Sequence, residues 1–409
     1  MTTMRPQPLI VVSTSARPLV QAARRAGLAA RVVDAFGDVD TIAQAERWRR
    51  VGLNSEGGLD ADQVLDAVAE LSPGPATVVI GSGLEAHPEV IERLAERHAL
   101  AGNDPQVWRL AGDPRRWFAM ASILGIPYPT VRWERPSDPE HWLLKRAASS
   151  GGQCVRAATS TLSAQARAGG EWYFQRRIQG QSYSLLFLAD GQEMRSVGVN
   201  RLLAAPPQAP TPWAWAGAVR PAGLSAGLQI RVEGAARALT AALGLRGLNG
   251  LDFIVQGDSW FLLELNPRPT ATLDLWDVEP MPPLLGLHLQ GCAGRRSCGR
   301  NAFDALPALP GARAMAVTYA GTPMRVPFDT SWPRACRDRP CAGLPVGPGD
   351  PLCTVHASHA TADGAMKRVY ALRGELLHTL SRNCGVQAPQ AVADMPAAPG
   401  SISGAGARA

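Results

Sequence analysis

Apolar and polar positions follow two rhythms in the first hundred residues. Residues 8–13 (PLIVVS) form a continuous apolar run of strand length, and 17–26 keep helical spacing up to Gly27. A second strand is expected over 30–34. Val64, Leu65, Val68 and Leu71 mark one face of a helix over 61–71. Thr77-Val78-Val79-Ile80 then runs into Gly81-Ser82-Gly83, and Pro88 opens a helix expected over 89–100. Strands and helices alternating in this way predict a parallel α/β unit over 1–105. Such units bind ligands beyond the carboxyl ends of their strands, which nominates Asp34, residues 36–41 and the turn 81–85. Gly81-Ser82-Gly83 is not a GxGxxG fingerprint and does not predict a dinucleotide. Glu85 reads equally well as a helix-start carboxylate or as a substrate contact.

The pattern changes near Asp113. Trp117, Phe118, Ala121 and Leu124 share one helix face, closed by Gly125, Pro127 and Pro129. Strand-like runs follow at 142–145, 172–178, 183–189, 251–255 and 260–265, and the Pro- and Trp-rich stretch 205–215 reads as a loop. A third compact piece is expected over 311–383. The tail 384–409, rich in Ala, Pro, Gly and Ser, is expected to be disordered.

Composition narrows the classes. In 409 residues, 46% hydrophobic content excludes a disordered chain, and no apolar run approaches the ~18 residues of a membrane span. The net charge of +6 comes from 41 Lys and Arg residues, of which only Lys145 and Lys367 are lysines. Such a bias makes the charge a property of composition, so no nucleic-acid partner is expected. Seven scattered cysteines without a CxxC pair suit a reducing compartment. The apolar run 9–12 is too short for a signal-peptide core, and a cytoplasmic location is expected.

The richest passage is 249–266, NGLDFIVQGDSWFLLELN, followed by Pro267-Arg268-Pro269. Two apolar runs flank Gln256-Gly257-Asp258-Ser259, a hairpin signal. A three-residue loop over 257–259 sets Asp252 opposite Glu264, with Asn266 on the same face as Glu264. A two-residue loop would set Leu263 there instead. Two facing carboxylates repel and are costly to bury, and a hard cation such as Mg²⁺ resolves both problems. Arg268 is placed to hold a phosphate or a carboxylate bidentately. Lys145 ends an apolar strand before Ser149-Ser150-Gly151-Gly152, an arrangement that offers an ammonium and free N–H groups to a polyphosphate. The strand 172–176 breaks at Arg177-Ile178-Gln179-Gly180 into a polar hinge.

In this order and spacing the three elements resemble the ATP-grasp superfamily, most closely its predicted carboligases related to biotin carboxylase. The resemblance implies an α/β and α+β fold: a pre-ATP-grasp domain (1–105), a small subdomain with its connecting helix (106–178), a large subdomain (179–310) and a C-terminal domain (311–383). It implies ATP held by Lys145, by Ser150, Gly151 and Gly152 of a mobile loop, and by a hinge of Gln175, Arg176 and Ile178. Mg²⁺ (or Mn²⁺) falls to Asp252, Glu264 and Asn266, and catalysis to Lys145 and Arg268. Arg176 stands where the family commonly has glutamate, and Arg115 and Arg116 where a further lysine is common. The implied reaction is ADP-forming ligation of a small-molecule carboxylate to an amine. Relatives acting on methanofuran or tetrahydromethanopterin suggest glutamate ligation. The alternatives are a carboxylating subunit and a non-catalytic ATP-binding regulator. No membrane partner is expected, and a homo-oligomer is compatible with the pattern.

Of the other residues, Cys154 reads as packing, His356 and His359 as structural or surface groups, and Lys367 as solvent-facing. Asn200, Arg201 and Arg220 read as surface groups or contacts to an anionic substrate. Trp213 and Trp215 line a pocket or cap a core.

Overall fold

A computed structural model describes residues 7–159, 172–294 and 305–383. The tail expected from 384 lies outside the described residues. The first sheet contains β1 (Leu9–Ser13), β2 (Ala30–Asp34), β3 (Arg47–Arg50), β4 (Thr77–Ile80) and β5 (Ala99–Leu100). All pairs are parallel, in the order β3-β2-β1-β4-β5. The intervening helices are α1 (Arg17–Arg25), α2 (Val39–Ile42), α3 (Ala61–Leu71) and α4 (Pro88–Arg97).

β1 is apolar from Leu9 to Val12 because both of its faces are covered. Leu9 and Val11 pack with Leu19 and Val20 of α1, whereas Ile10 and Val12 pack with Val64, Val68 and Leu71 of α3. The α1 layer also receives Leu284 and Leu285, which joins this unit to the rest of the chain through a common core. The helix expected over 89–100 stops at Arg97. Beyond it the N–H groups of Ala99 and Ala101 donate to the carbonyls of Ala76 and Val78, 2.8 Å each, so the chain leaves the helix to extend the sheet. β3, with the sequence Arg-Trp-Arg-Arg, has no apolar alternation; charge on an edge strand discourages pairing with other chains. Strand order reverses at β1, so the carboxyl ends of β1 and β4 open a crevice.

α5 (Pro105–Gly112) and α6 (Pro114–Ile123) lead to a four-stranded antiparallel sheet. It holds β6 (Val131–Arg132), β7 (Trp142–Arg146), β8 (Val155–Ala157) and β9 (Trp172–Arg176), in the order β6-β9-β7-β8. A larger sheet begins with β10 (Gln181–Asp190), β11 (Met194–Leu202), β12 (Gly217–Arg220), β13 (Arg246–Gln256) and β14 (Ser259–Asn266). It continues with β15 (Ala312–Tyr319), β17 (Cys336–Arg337) and β19 (Pro351–His359), while β16 (Met324–Arg325) pairs with β18 (Pro345–Val346). The eight strands run β14-β13-β10-β11-β12-β15-β19-β17. The remaining helices are α7 (Ala226–Leu243), α8 (Leu273–Trp276), α9 (Leu284–Ala293) and α10 (Ala362–Asn383).

Val232 and Leu239 of α7 pack with Phe118 of α6 and with Leu185, Phe253 and Leu262 of the large sheet. Residues 311–383 share an apolar cluster with Val219 of β12, including Ala314, Val355, Val369 and Leu376. Their strands nevertheless extend the sheet of 181–266, through antiparallel pairing of β12 with β15. The expected class, a parallel α/β unit followed by antiparallel α+β layers, is the one observed.

Candidate active site

The β13–β14 hairpin reaches the expected juxtaposition by an unexpected route. Gln256 pairs with Ser259, so the turn is the two residues Gly257 and Asp258. Gly257 takes φ +58° at the first central position, the conformation that a two-residue turn of the II′ kind asks of a glycine. Such a turn alone would set Leu263 against Asp252. An irregularity between Asp252 and Phe253 absorbs Leu263, and Asp252 again faces Glu264. A β-bulge thus re-aims the strand, as bulges do beside functional sites. The expected three-residue loop is corrected; the carboxylate pair stands.

Around that pair the polar contacts are specific. Asn266 Nδ2 donates to Asp252 Oδ2 at 3.2 Å. Ser184, opposite Asp252 on β10, donates its hydroxyl to it. Burial first, then the Glu264 carboxylate, push the Asp252 carboxyl well above the usual carboxylate range, against the pull of Ser184 and Arg268. Lys145 Nζ lies 3.4 Å from Gln175 Oε1 and 6.0 Å from the centroid of the Tyr173 ring. Burial disfavours its charge, but Tyr173, Glu264 and Asp252 outweigh burial and raise its pKa. Gln175 is 2% exposed, and its Nε2 has no partner among the described residues. An unsatisfied donor of that kind, on a cleft wall, fits a ligand acceptor.

Arg176 behaves differently from its neighbours. Its guanidinium pairs with Asp138 at 2.7 Å and lies over the Trp142 ring, and Asp138 also accepts from Trp142 Nε1 at 2.9 Å. The Arg176 N–H is committed as well, to the Thr130 carbonyl at 2.8 Å. Arg268 is committed too. Its Nε and Nη2 hold Glu85 Oε1 at 2.8 and 2.7 Å, and Nη2 also reaches Asn266 Oδ1 at 3.1 Å. Glu85 in turn accepts from the Gly83 N–H at 2.7 Å. Glu85 thus reaches across the cleft to Arg268, a contact that is neither the helix-start role nor the substrate contact expected of it.

The glycine loop docks against the Pro- and Trp-rich loop. The Trp215 N–H donates to the Gly151 carbonyl at 2.9 Å, and the Thr211 hydroxyl to that of Gly152 at 3.1 Å. Gly152 has φ +69°, and an added Cβ would lie 1.8 Å from the Trp213 carbonyl oxygen. Gly152→Ala is therefore expected to unseat the loop, read as faster limited proteolysis within 146–156, with global stability little changed.

Lys145, Ser150, Gly151, Gly152, Gln175 and Ile178 line one cleft of about 770 Å³. Arg176, Asp252, Glu264, Asn266 and Arg268 line the same cleft, as do Trp213 and Trp215. Asn200, Arg201 and Arg220 do not; they bind Trp276, Asp363 and the Leu275 carbonyl. His356 Nε2 lies 3.1 Å from Asp274. Sequence reasoning missed Tyr173, Ser184 and Asp138. Only Ser184 had a signal, its place in a strand able to pair with that of Asp252.

The profile of the ATP-grasp domain family matches residues 117–272, a span that includes every residue from Lys145 to Arg268 discussed above. A search of curated proteins finds no match. Among solved structures, the biotin carboxylase domain of Hydrogenobacter thermophilus 2-oxoglutarate carboxylase, in complex with MgADP, ADP and bicarbonate, is similar. The identity is 13% and the TM-score 0.68, over 90% of each chain. The Campylobacter jejuni biotin carboxylase complex is 15% identical with a TM-score of 0.67, over 92% of this chain and 95% of that one. Rhizobium etli pyruvate carboxylase aligns over 89% of this chain but 36% of its own, at 15% identity and a TM-score of 0.67. Residues 117–272 are an ATP-grasp domain, carried in a chain that has the biotin carboxylase fold.

Proposed function

We propose that the chain is an ATP-dependent ligase that activates a carboxylate as an acyl phosphate and transfers the acyl group to an amine, releasing ADP and phosphate. The observation that carries this reading is the convergence of Asp252, Glu264 and Asn266 with Lys145 and Gln175 in one cleft of the ATP-grasp domain. The donor set fits Mg²⁺ or Mn²⁺: two facing carboxylates, one held above its ordinary pKa by burial and by the other, and the Asn266 amide beside them. Bound there, the ion would supply positive charge to phosphate oxygens. The H. thermophilus neighbour is described with MgADP, which supports the same nucleotide and metal here.

The chain's own residues do the rest. The Lys145 ammonium neutralises phosphate charge. The Gln175 amide presents an unused donor at the hinge. The glycine loop, seated on Trp213 and Trp215, keeps water from a hydrolysis-prone acyl phosphate. Lys145→Ala is expected to lower ADP release about 100-fold and to weaken MgATP binding in calorimetry. Lys145→Arg is not expected to restore either, because a planar fork does not replace a point charge.

For the substrates we propose glutamate as the carboxylate and an amine of a one-carbon carrier pathway, methanofuran or tetrahydromethanopterin, as the acceptor. This choice of substrates rests on the resemblance to predicted carboligases, which Asp34-Ala35-Phe36-Gly37-Asp38, Gly81-Ser82-Gly83-Leu84-Glu85 and residues 338–355 carry. A carboxylating subunit is the second reading, favoured by the biotin carboxylase fold. It predicts ADP release that depends on bicarbonate and not on amine. The test is ADP release by the full chain with MgATP, glutamate and primary amines. The homo-oligomer stays part of the proposal, since the H. thermophilus domain is described as a dimer, as does the cytoplasmic setting. No helix among the described residues is long and apolar enough to cross a membrane.

A further inference from the structure

The cleft does not end at the Glu85–Arg268 pair. It continues past Ser82 to the carboxyl ends of β1 and β2, where Arg17, Phe36, Asp38, Asp338 and Pro340 form its wall. Five carboxylates gather there or just behind, and four of them have partners. Asp34 accepts from the N–H groups of Ala16, Phe36 and Gly37 at 2.6, 2.8 and 2.5 Å. Asp40 accepts from the N–H groups of Asp338 and Arg339 at 3.0 and 2.9 Å. Asp274 and Asp338 share the buried Arg17, at 2.5 and 2.7 Å.

Asp38 is the fifth. It is 5% exposed, and its carboxylate has no hydrogen bond or ion pair among the described residues. It occupies the N-cap of α2, where aspartate ordinarily accepts an N–H of the first turn; here it accepts none. The groups acting on it are Asp338, Asp34 and Asp40, which are repulsive, and Arg17, which is committed to two other carboxylates. An unpaired buried carboxylate is costly, and nothing in the local fold needs this one. A positive ligand does. A divalent cation would require several uncommitted oxygens, whereas an organic ammonium needs one anion and an apolar flank, and Phe36 and Pro340 provide the flank.

We infer that this end of the cleft binds the amine substrate as its ammonium ion, with Asp38 as the counter-anion. The inference rests on the ligase reading above, and it places the amine on the parallel unit, across the cleft from the nucleotide. Burial and the neighbouring Asp338, Asp34 and Asp40 push Asp38 up to about 8, which agrees with a site that lacks its cation.

The test compares melting temperatures of the full chain and of Asp38→Asn, each with n-butylammonium chloride, with equal sodium chloride, and with MgATP. A ligand that binds the folded state raises the melting temperature by mass action. The wild type should respond to butylammonium above the sodium control, and Asp38→Asn should not, while MgATP shifts both proteins. Without ligand, Asp38→Asn should melt a few degrees higher than wild type at pH 8. The sign follows from a folded pKa above the unfolded one. Ionising Asp38 weakens the fold as pH rises from about 4 to about 8, so the gain from asparagine should shrink towards pH 5. An equal butylammonium response in both proteins, or in neither, overturns the inference. So does an Asp38→Asn variant that melts lower or fails to fold. If MgATP shifts neither protein, the ligase reading fails separately, and the butylammonium arm still reports on Asp38.

Discussion

Glutamine in place of Glu264 is expected to reduce ATP-dependent ADP release by about 10²–10³-fold while leaving the fold intact. The substitution keeps the shape of the side chain and replaces one of the two carboxyl groups that face each other across the β13–β14 ladder. Asp252 is held up by burial and by Glu264, so removing Glu264's charge lets Asp252 ionise more readily. The melting temperature should therefore hold or rise as activity disappears. Loss of activity with a lowered melting temperature would instead mean that Glu264 supports the hairpin. Asp252→Asn should behave alike, since the pair acts as one unit. A coupled assay of ADP and a thermal melt decide the matter, and more than a tenth of wild-type turnover in either variant contradicts the assignment.

Arg17→Ala is expected to destabilise the chain by about 3–5 kcal/mol, measured by urea unfolding. Arg17 is fully buried at the start of α1 and bonds Asp274 from α8 and Asp338 from the loop after β17. Burial opposes its charge, but both aspartates outweigh burial and hold its pKa well above the ordinary value. Asp274 is held well below the usual carboxylate range, with burial opposed and overcome by Arg17 and His356. Removing the guanidinium leaves the buried Asp274 with His356 and Arg313, leaves the half-buried Asp338 with the Ser15 hydroxyl, and uncouples three distant segments of chain. Arg17→Lys should recover little, because one ammonium does not reproduce a fork shared between two aspartates. A loss below about 1 kcal/mol would show that the cluster relaxes without its cation.

Much of this was legible in the sequence where one pattern had one reading. The apolar runs that became β1 and β4 are buried on both faces, and a parallel α/β unit is what such runs make. The carboxylate pair was legible as chemistry but not as geometry. The turn at Gly257 and the bulge that absorbs Leu263 cancel each other in register, and neither leaves a mark in the apolar alternation. β3 was hidden because an edge strand of three arginines and a tryptophan has no apolar face to show. Contacts between segments far apart in sequence, such as Glu85 with Arg268 and Arg17 with Asp338, carry no local signal. They come from the crevice at the β1 switch point closing over the ATP-grasp domain. Asp38 belongs to the same group: its residue type was visible, but its lack of a partner is a property of the folded chain.

The most direct test of carboxylate activation is a trapping assay with purified full chain, MgATP, hydroxylamine and a panel of carboxylates that includes glutamate. Hydroxylamine converts an acyl phosphate to a hydroxamate without needing the amine site. The account predicts hydroxamate equimolar with ADP for at least one carboxylate, lost in Glu264→Gln. ADP released without hydroxamate, ADP released only with bicarbonate, or no ADP with any carboxylate would contradict it.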